Sequence, residues 1–221
     1  MYKRQVQHFK DGEELQARNK FLGRNVAAGT LDFHFKLDEL KTLEEQRMFG
    51  LGTANAEGHP VIQNVSLSID IDAAAAAPVL TAHAIQSLPS PIGVITKVKR
   101  FPYSLNAGIT EIDNIPKNPQ ARIARFIIKT DANIEKIELE VDSAKAYEMP
   151  KVLGQKIQVD HKRSPQTGYY YVDMVLEGDM LQALVLKGVQ DLRLRFHCAD
   201  NTTASTPCVV IVDYYDGLAG L

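Results

Sequence analysis

Alternating apolar and polar residues form the strongest pattern in this sequence. Such alternation indicates a β-strand with one buried face, because successive side chains of a strand point to opposite sides. The alternation is clean in four segments, which cover residues 31–37, 65–72, 137–142 and 191–198. Antiparallel sheets commonly bury one face and expose the other, so the four segments predict an antiparallel β-sandwich.

Other segments are rich in β-branched or aromatic residues and predict further strands. These segments cover residues 92–101, 109–113, 122–129, 169–176 and 208–215. The last of them is apolar nearly throughout, which is typical of a strand that is buried on both faces.

The predicted helices are few and short. They are expected at residues 11–22, 38–49, 150–161 and 179–186. Asp11 can cap the first helix together with Glu14, and Asp38 can cap the second. Pro150 suits the first turn of the third helix, where its missing N–H costs no hydrogen bond.

The order of the elements repeats in the two halves of the chain. Each half reads helix, strand, helix, strand, strand, and the last strand of the first half is predicted at residues 79–85. The two first strands lie about 139 residues apart, and the repeat is one of pattern rather than of residue identity. Residues 87–91 hold two prolines and predict a stiff connector. We therefore expect two tandem jelly rolls, at residues 1–88 and 89–221.

The first predicted jelly roll is shorter than the second. Four strands are predicted before the helix of the second half, whereas almost none precede Asp11. We therefore expect the opening strands of the first jelly roll to be missing and the natural protein to begin upstream. Residues from Met1 to Gln5 look like the translation of a sequencing adapter, and the sequence leaves open whether they are native.

The composition of the chain narrows the range of functions that it could have. The net charge of −2 argues against a nucleic-acid-binding face, which draws its affinity from many basic side chains. The group Lys97, Lys99 and Arg100 is interpreted as a solvated strand face, with a local basic patch as the alternative. No apolar run approaches the roughly 18 residues of a membrane-spanning helix. Two cysteines, Cys198 and Cys208, are too few for a disulfide framework, so both are expected to be buried and free.

Several short stretches resemble the major capsid proteins of corticoviruses, which are icosahedral phages with an internal membrane. No single stretch is specific, but together they keep the order and spacing of that family from about residue 28 to residue 196. The stretches are residues 46–53, 70–75 with Pro78 and Leu80, 108–112 with Pro116, 122–124, 176–179 and 190–194. The sequence departs from the family in its missing opening strands and its loosely matching end, residues 197–221.

The resemblance implies a double jelly-roll major capsid protein. Its homotrimers would form pseudo-hexagonal capsomers, because three chains with two similar domains approximate sixfold symmetry. The capsomers would tile an icosahedral shell over an internal membrane, next to other capsomers and to vertex and membrane proteins of the virion. The protein would assemble in the cytoplasm of the bacterial host and would not contact nucleic acid directly. We therefore expect a structural protein rather than an enzyme.

An alternative is a β-sandwich module that binds glycans or a receptor. Such modules usually present clustered exposed aromatic residues, whereas this chain has no Trp and its best aromatic cluster, Tyr169–Tyr171, sits in a predicted strand. A jelly-roll enzyme is a weaker alternative. The six histidines lack the spacing of a cupin metal site, and neither a nucleophile elbow nor a phosphate-binding loop occurs.

Candidate ligand-binding residues are therefore few, and no catalytic, cofactor-binding or metal-binding residue is assigned. Glu138, Glu140 and Asp142 share one face of a predicted strand, and Asp70 and Asp72 share another. We interpret both faces as solvated, with a structural Ca²⁺ site at a subunit boundary as the alternative.

A zinc site is a poor interpretation of the remaining candidate ligands. His197 and Cys198 are adjacent on a predicted strand, so their side chains would point to opposite faces, and Cys208 is the only other thiol.

Overall fold

Strands dominate the structure, a computed structural model that describes residues 5–55, 57–62, 64–86 and 88–218. The prediction of an all-β protein with a few short helices is confirmed. In chain order the elements are α1 (Gly12–Phe21), α2 (Leu43–Met48), β1 (Ile95–Leu105), β2 (Gly108–Ile112), β3 (Arg122–Thr130), β4 (Ile134–Val141), β5 (Ala144–Pro150), α3 (Lys151–Asp160), β6 (Tyr169–Asp173), a 3-10 turn (Met180–Gln182), β7 (Leu184–Val185), β8 (Leu192–Cys198) and β9 (Thr206–Asp216).

The strands form two antiparallel sheets that pack face to face. Sheet 1 has the order β1-β9-β3-β6, with the short β7 also beside β3, and sheet 2 has the order β2-β8-β4-β5. Apart from the short β7, the eight strands follow the Greek-key order of a jelly roll: consecutive strands lie in different sheets, except β4 and β5, which form a hairpin within sheet 2. This is the architecture that the sequence pattern predicted for the second half of the chain.

The main core lies between the two sheets. Every second residue of β8 is buried, in agreement with the predicted alternation, and Leu194 is paired with Leu139 of β4 and Ile112 of β2. From sheet 1, Phe126 and Val212 reach into the same core and are fully buried. Each such side chain stabilises the fold by roughly 1.5–3 kcal/mol.

The outer face of sheet 1 is covered by the first part of the chain. Phe21 of α1 stacks on Tyr171 of β6 with ring centroids 3.7 Å apart, and Phe49 packs on Tyr215 of β9 at 4.4 Å. Ile211 of β9 joins the cluster under α1, while its neighbours Val210 and Val212 face the main core. The prediction that this strand is buried on both faces is confirmed.

Some helices differ from their predicted bounds because capping interactions determine where they begin and end. Asp11 caps α1 by accepting from the backbone N–H of Glu14, as predicted. The second helix begins later than predicted, because Thr42 and Glu45 form a reciprocal capping box and Asp38 does not cap it. The fourth predicted helix is only a 3-10 turn, which Asp179 caps before the chain enters β7.

The strands predicted at residues 31–37, 65–72 and 79–85 are not strands in the structure. Residues 64–72 have no regular secondary structure, and Leu67 is 54 % exposed and Ile69 is 42 % exposed. The pattern shows that the segment could bury one face, but a strand also needs a hydrogen-bonded neighbour, and none of the described residues supplies one there. No helix in the described part of the chain is both long and apolar enough to span a bilayer.

Candidate functional site

Arg125 occupies the centre of a buried cluster of charges between sheet 1 and the residues that cover it. Its side chain comes from β3 and is fully buried. Nη1 donates to Oδ2 of Asp213 at 2.9 Å and lies 3.5 Å from Oε1 of Glu39. Nε lies 3.5 Å from Oδ1 of Asp173. One guanidinium therefore contacts three carboxylates.

Each of the three carboxylates also pairs with a second arginine. The pairs are Asp213 with Arg18 (2.9 Å), Glu39 with Arg24 (2.8 Å) and Asp173 with Arg163 (3.0 Å). We call these seven residues the Arg125 network. Its geometry is a star, with one central arginine, three bridging carboxylates and three outer arginines.

The network joins parts of the chain that are far apart in sequence. Arg18 belongs to α1, and Arg24 and Glu39 lie between α1 and α2. The remaining members come from strands β3, β6 and β9 of sheet 1 and from the segment after α3. The charges therefore fix the covering layer on sheet 1 at defined positions, which apolar contacts alone specify less sharply.

Burial and neighbouring charges shift the pKa values of Glu39, Arg125 and Arg24. Burial alone would raise the pKa of the Glu39 carboxyl, but Arg24, Arg125 and Arg18 outweigh it and the pKa lies below its usual value. Burial likewise opposes the charge on Arg125, yet its neighbouring acids raise its pKa well above the usual value. Desolvation dominates at Arg24, whose pKa is lowered despite the contact with Glu39.

The outer face of sheet 2 is a lattice of paired surface charges. Glu138 is bound by Lys136 and lies 2.9 Å from His197, and Glu140 accepts from Arg195 at 2.6 Å. This agrees with a polar, partly solvated strand face. Asp142 belongs instead to a turn, where its carboxylate accepts from the backbone N–H groups of residues 190 and 191.

The acidic residues considered for calcium contact other groups of the same chain. Three of them hold the contacts just described, and Oδ1 of Asp72 accepts from the backbone N–H of Ala74 in the exposed segment that also contains Asp70. Within the described residues, no group of three or more His, Cys, Asp or Glu side chains could hold a metal ion.

The cysteines are buried in the main core and free. Burial raises the pKa of the Cys208 thiol to about 12, so it stays protonated and unreactive at neutral pH. Cys198 faces the core while His197 faces Glu138 on the outside, as expected for neighbours on a strand.

The basic group on β1 is not the solvated face that its composition suggested. Lys97 is 3 % exposed and pairs with Asp216 at 2.9 Å. Arg100 pairs with the buried Glu14, and Lys99 donates to a backbone carbonyl near the start of the chain. The prediction was wrong because α1 and the residues before it supply the partners of Arg100 and Lys99, and the neighbouring strand β9 supplies the partner of Lys97.

The tyrosines of β6 have structural roles. Tyr169 and Tyr171 are buried under α1, and the hydroxyl of Tyr170 bonds the backbone at Ala132 and Ile134. They form no exposed aromatic platform of the kind that glycan-binding modules present.

The Arg125 network was missed at the sequence level, although a signal for it exists. Arg125 and Asp213 each interrupt a run of mainly apolar residues within their strand. A charge in a strand that is buried on both faces needs a partner, so each of them pointed to an ion pair.

Comparisons with known proteins agree on one family. The model of the viral coat protein P2 N-terminal domain matches residues 3–87, and that of the C-terminal domain matches residues 95–218. The major capsid protein P2 of Pseudoalteromonas phage PM2 is 32% identical over 213 residues, which covers 93% of this chain and 75% of that protein. The crystal structure of that capsid protein matches with a TM-score of 0.80 at 31% identity, over the same shares. A weaker match, to a structure from Sulfolobus Turreted Icosahedral Virus, covers 56% of this chain and 39% of the viral chain, with a TM-score of 0.45 at 12% identity.

Proposed function

Since this chain belongs to the viral coat protein P2 family and is a structural component of a bacteriophage capsid, we propose that three copies assemble into one pseudo-hexagonal capsomer. The observation that carries this proposal is the match of two successive coat-protein domains to a single chain, at residues 3–87 and 95–218. Three chains with two domains each place six domains around one axis. We propose the domain boundary near residue 88 on the same ground.

The capsomers would tile an icosahedral shell over an internal membrane. Other capsomers, vertex proteins and membrane proteins of the virion are the proposed neighbours, and assembly takes place in the host cytoplasm. We propose no catalytic activity, because the strongest charged cluster is buried under the layer that covers sheet 1 and its carboxylates are occupied by arginines.

The outward face of α3 is the proposed contact between copies. An ordinary surface helix buries its apolar residues, but α3 exposes several of them. Gly154 and Gln158 are buried, whereas Val152 is 78 % exposed and Val159 is 59 % exposed. The two valines lie seven residues apart and therefore share one face, with Leu153 beside them. In a coat protein, an apolar helix face of this kind is best covered by another copy of the same chain.

Light scattering of the purified protein after size-exclusion chromatography tests both parts of the proposal. We expect a particle of three times the 24.5 kDa chain mass. A monomer at every concentration tested refutes the capsomer, and glycan binding by that monomer would favour the binding module instead.

Two variants test whether α3 forms the contact, independently of whether the protein is a trimer. Val152→Lys combined with Val159→Lys should convert the trimer to monomers without unfolding the chain. The control is Leu181→Lys, at a residue that is 69 % exposed in the turn before β7. Trimers that persist in the double variant would reject α3 as the contact and leave the capsomer standing.

A further inference from the structure

Lys97, Asn118 and Asp216 form a second buried polar group, outside the Arg125 network and on the inner face of sheet 1. Lys97 lies near the start of β1 and is 3 % exposed, and Asp216 ends β9 and is 1 % exposed. Tyr214, which lies directly opposite Lys97 in the strand register, belongs to the main core. The lysine and the aspartate therefore lie at one end of the space between the sheets, in surroundings of low polarity.

One carboxylate oxygen brings the lysine and the asparagine together. Nζ of Lys97 donates to Oδ2 of Asp216 at 2.9 Å, and Nδ2 of Asn118 donates to the same oxygen at 3.3 Å. The amine comes from β1, whereas the amide comes from the connection between β2 and β3. A nucleophilic nitrogen and the nitrogen of a possible leaving group therefore share one acceptor that can carry protons between them.

A turn after Asn118 holds the amide in a defined orientation. The backbone N–H of Gln120 donates to Oδ1 of Asn118 at 3.2 Å, and the N–H of Ala121 donates to its backbone carbonyl at 3.0 Å. These bonds place Oδ1 beside Gln120 and Nδ2 beside Asp216. An N–H that donates to a carbonyl oxygen also stabilises the negative charge that develops there when a nucleophile adds to the carbon.

We propose that Lys97 and Asn118 form an intramolecular isopeptide bond, with Asp216 as the acid–base group. Asp216 takes a proton from the Lys97 ammonium, and burial assists this transfer because it disfavours both charged forms. Nζ then adds to Cγ of Asn118, the new N–C bond forms, and the bond between Cγ and Nδ2 breaks. One of the three Nζ protons stays on the new amide. The other two pass through Asp216 to the departing nitrogen, which leaves as ammonium while Asp216 returns to its carboxylate form.

The bond would reinforce the strand that is most easily detached from sheet 1. Strand β1 lies at the edge of that sheet, beside β9, and it is the first strand after the connector at residues 87–91. Tension on the connector would peel β1 away from β9, starting at its first residue. A covalent bond from Lys97 to the segment before β3 would stop this separation at the third residue of the strand. The reaction occurs once in each chain and turns over no external substrate.

Mass spectrometry of the purified, folded protein tests the proposal. The intact mass should be lower than the mass calculated from the sequence by one ammonia molecule, and a tryptic digest should contain a branched peptide that joins Lys97 to Asn118. Lys97→Arg, which keeps a cation beside Asp216, and Asp216→Asn should each have their full calculated mass. Asn114→Ala is the matched control, because the Asn114 amide lies in the same connection but bonds the hydroxyl of Tyr103, so this variant should keep the branched peptide.

A wild-type protein with its full calculated mass and separate, unbranched peptides would overturn the proposal, and this measurement decides even where a variant fails to fold. Loss of ammonia that persists in Lys97→Arg would also overturn it, because an asparagine elsewhere would then have formed a cyclic imide. Asn118 itself cannot form that imide with the next backbone nitrogen, since Pro119 has no N–H. An undiminished branched peptide in Asp216→Asn would reject Asp216 as the acid–base group.

Discussion

Replacing Asp213 by asparagine should destabilise the protein more than replacing Arg125 by methionine, although Arg125 contacts more partners. Asp213 is the one carboxylate that separates Arg18 from Arg125, with 2.9 Å contacts to both. Asp213→Asn leaves two adjacent buried arginines without it and raises the excess of positive charge from one to two. Arg125→Met removes the excess and leaves three separate arginine–carboxylate pairs.

The expected magnitudes follow from this difference. Removal of one partner from a buried ion pair costs about 3–5 kcal/mol, and Asp213→Asn should lie at the upper end because two cations lose their partner. Arg125→Met loses one short charge-assisted hydrogen bond and two contacts of 3.5 Å. Each carboxylate keeps an arginine and methionine fills much of the space, so we expect a cost of about 1.5–3 kcal/mol.

Urea denaturation followed by far-ultraviolet circular dichroism measures both free energies of unfolding. Asp38→Asn is the control, because Asp38 pairs with Lys36 at an exposed position outside the network and its loss should cost less than about 1 kcal/mol. An Arg125→Met variant that is as unstable as Asp213→Asn, or less stable, would refute the reasoning from charge balance.

Three further outcomes are expected. Because the pKa of Glu39 is lowered in the folded protein, the unfolded state binds its proton more readily. The stability from Glu39 should be complete above its unfolded pKa of 4.5 and decline as the pH falls below that value, and Glu39→Gln should flatten this decline in urea titrations at different pH. Phe21→Ala should cost about 3–5 kcal/mol, measured in the same way, because it removes the ring stacked on Tyr171, and a loss below 1 kcal/mol would contradict that packing. A calcium chelator should leave the unfolding temperature unchanged, because Glu138 and Glu140 already pair with positively charged side chains of the same chain. A clear drop in the unfolding temperature would favour the calcium interpretation instead.

The sequence predicted the second half of the fold well. Strand β8 shows why, because its alternation from Leu192 to Cys198 is matched residue by residue by its burial. The apolar character of residues 208–215 also indicated that sheet 1 is covered on both faces. These features are local, because the burial pattern of a single strand can be predicted from its own sequence.

Features that depend on distant segments could not be read in the same way. The alternation at residues 65–72 is as clean as that of β8, but whether a strand forms depends on a neighbouring strand, and alternation says nothing about it. The pairings in the Arg125 network could not be predicted for the same reason. Isolated charges in apolar strands indicate that partners exist, yet their identity follows only from how α1 and the segment before α2 cross sheet 1.

The two outer faces of the sandwich should tolerate mutation very differently over evolutionary time. On sheet 2, the charges are partly solvated and paired two or three at a time, so relatives can exchange Glu140 with Arg195, or lose both, in single tolerated steps. On sheet 1, loss of any of the three carboxylates leaves two buried arginines without that counter-charge until a second change follows. Compensated substitutions there should therefore arise together, and co-variation among Arg18, Arg125 and Asp213 should be strong where the family has diverged.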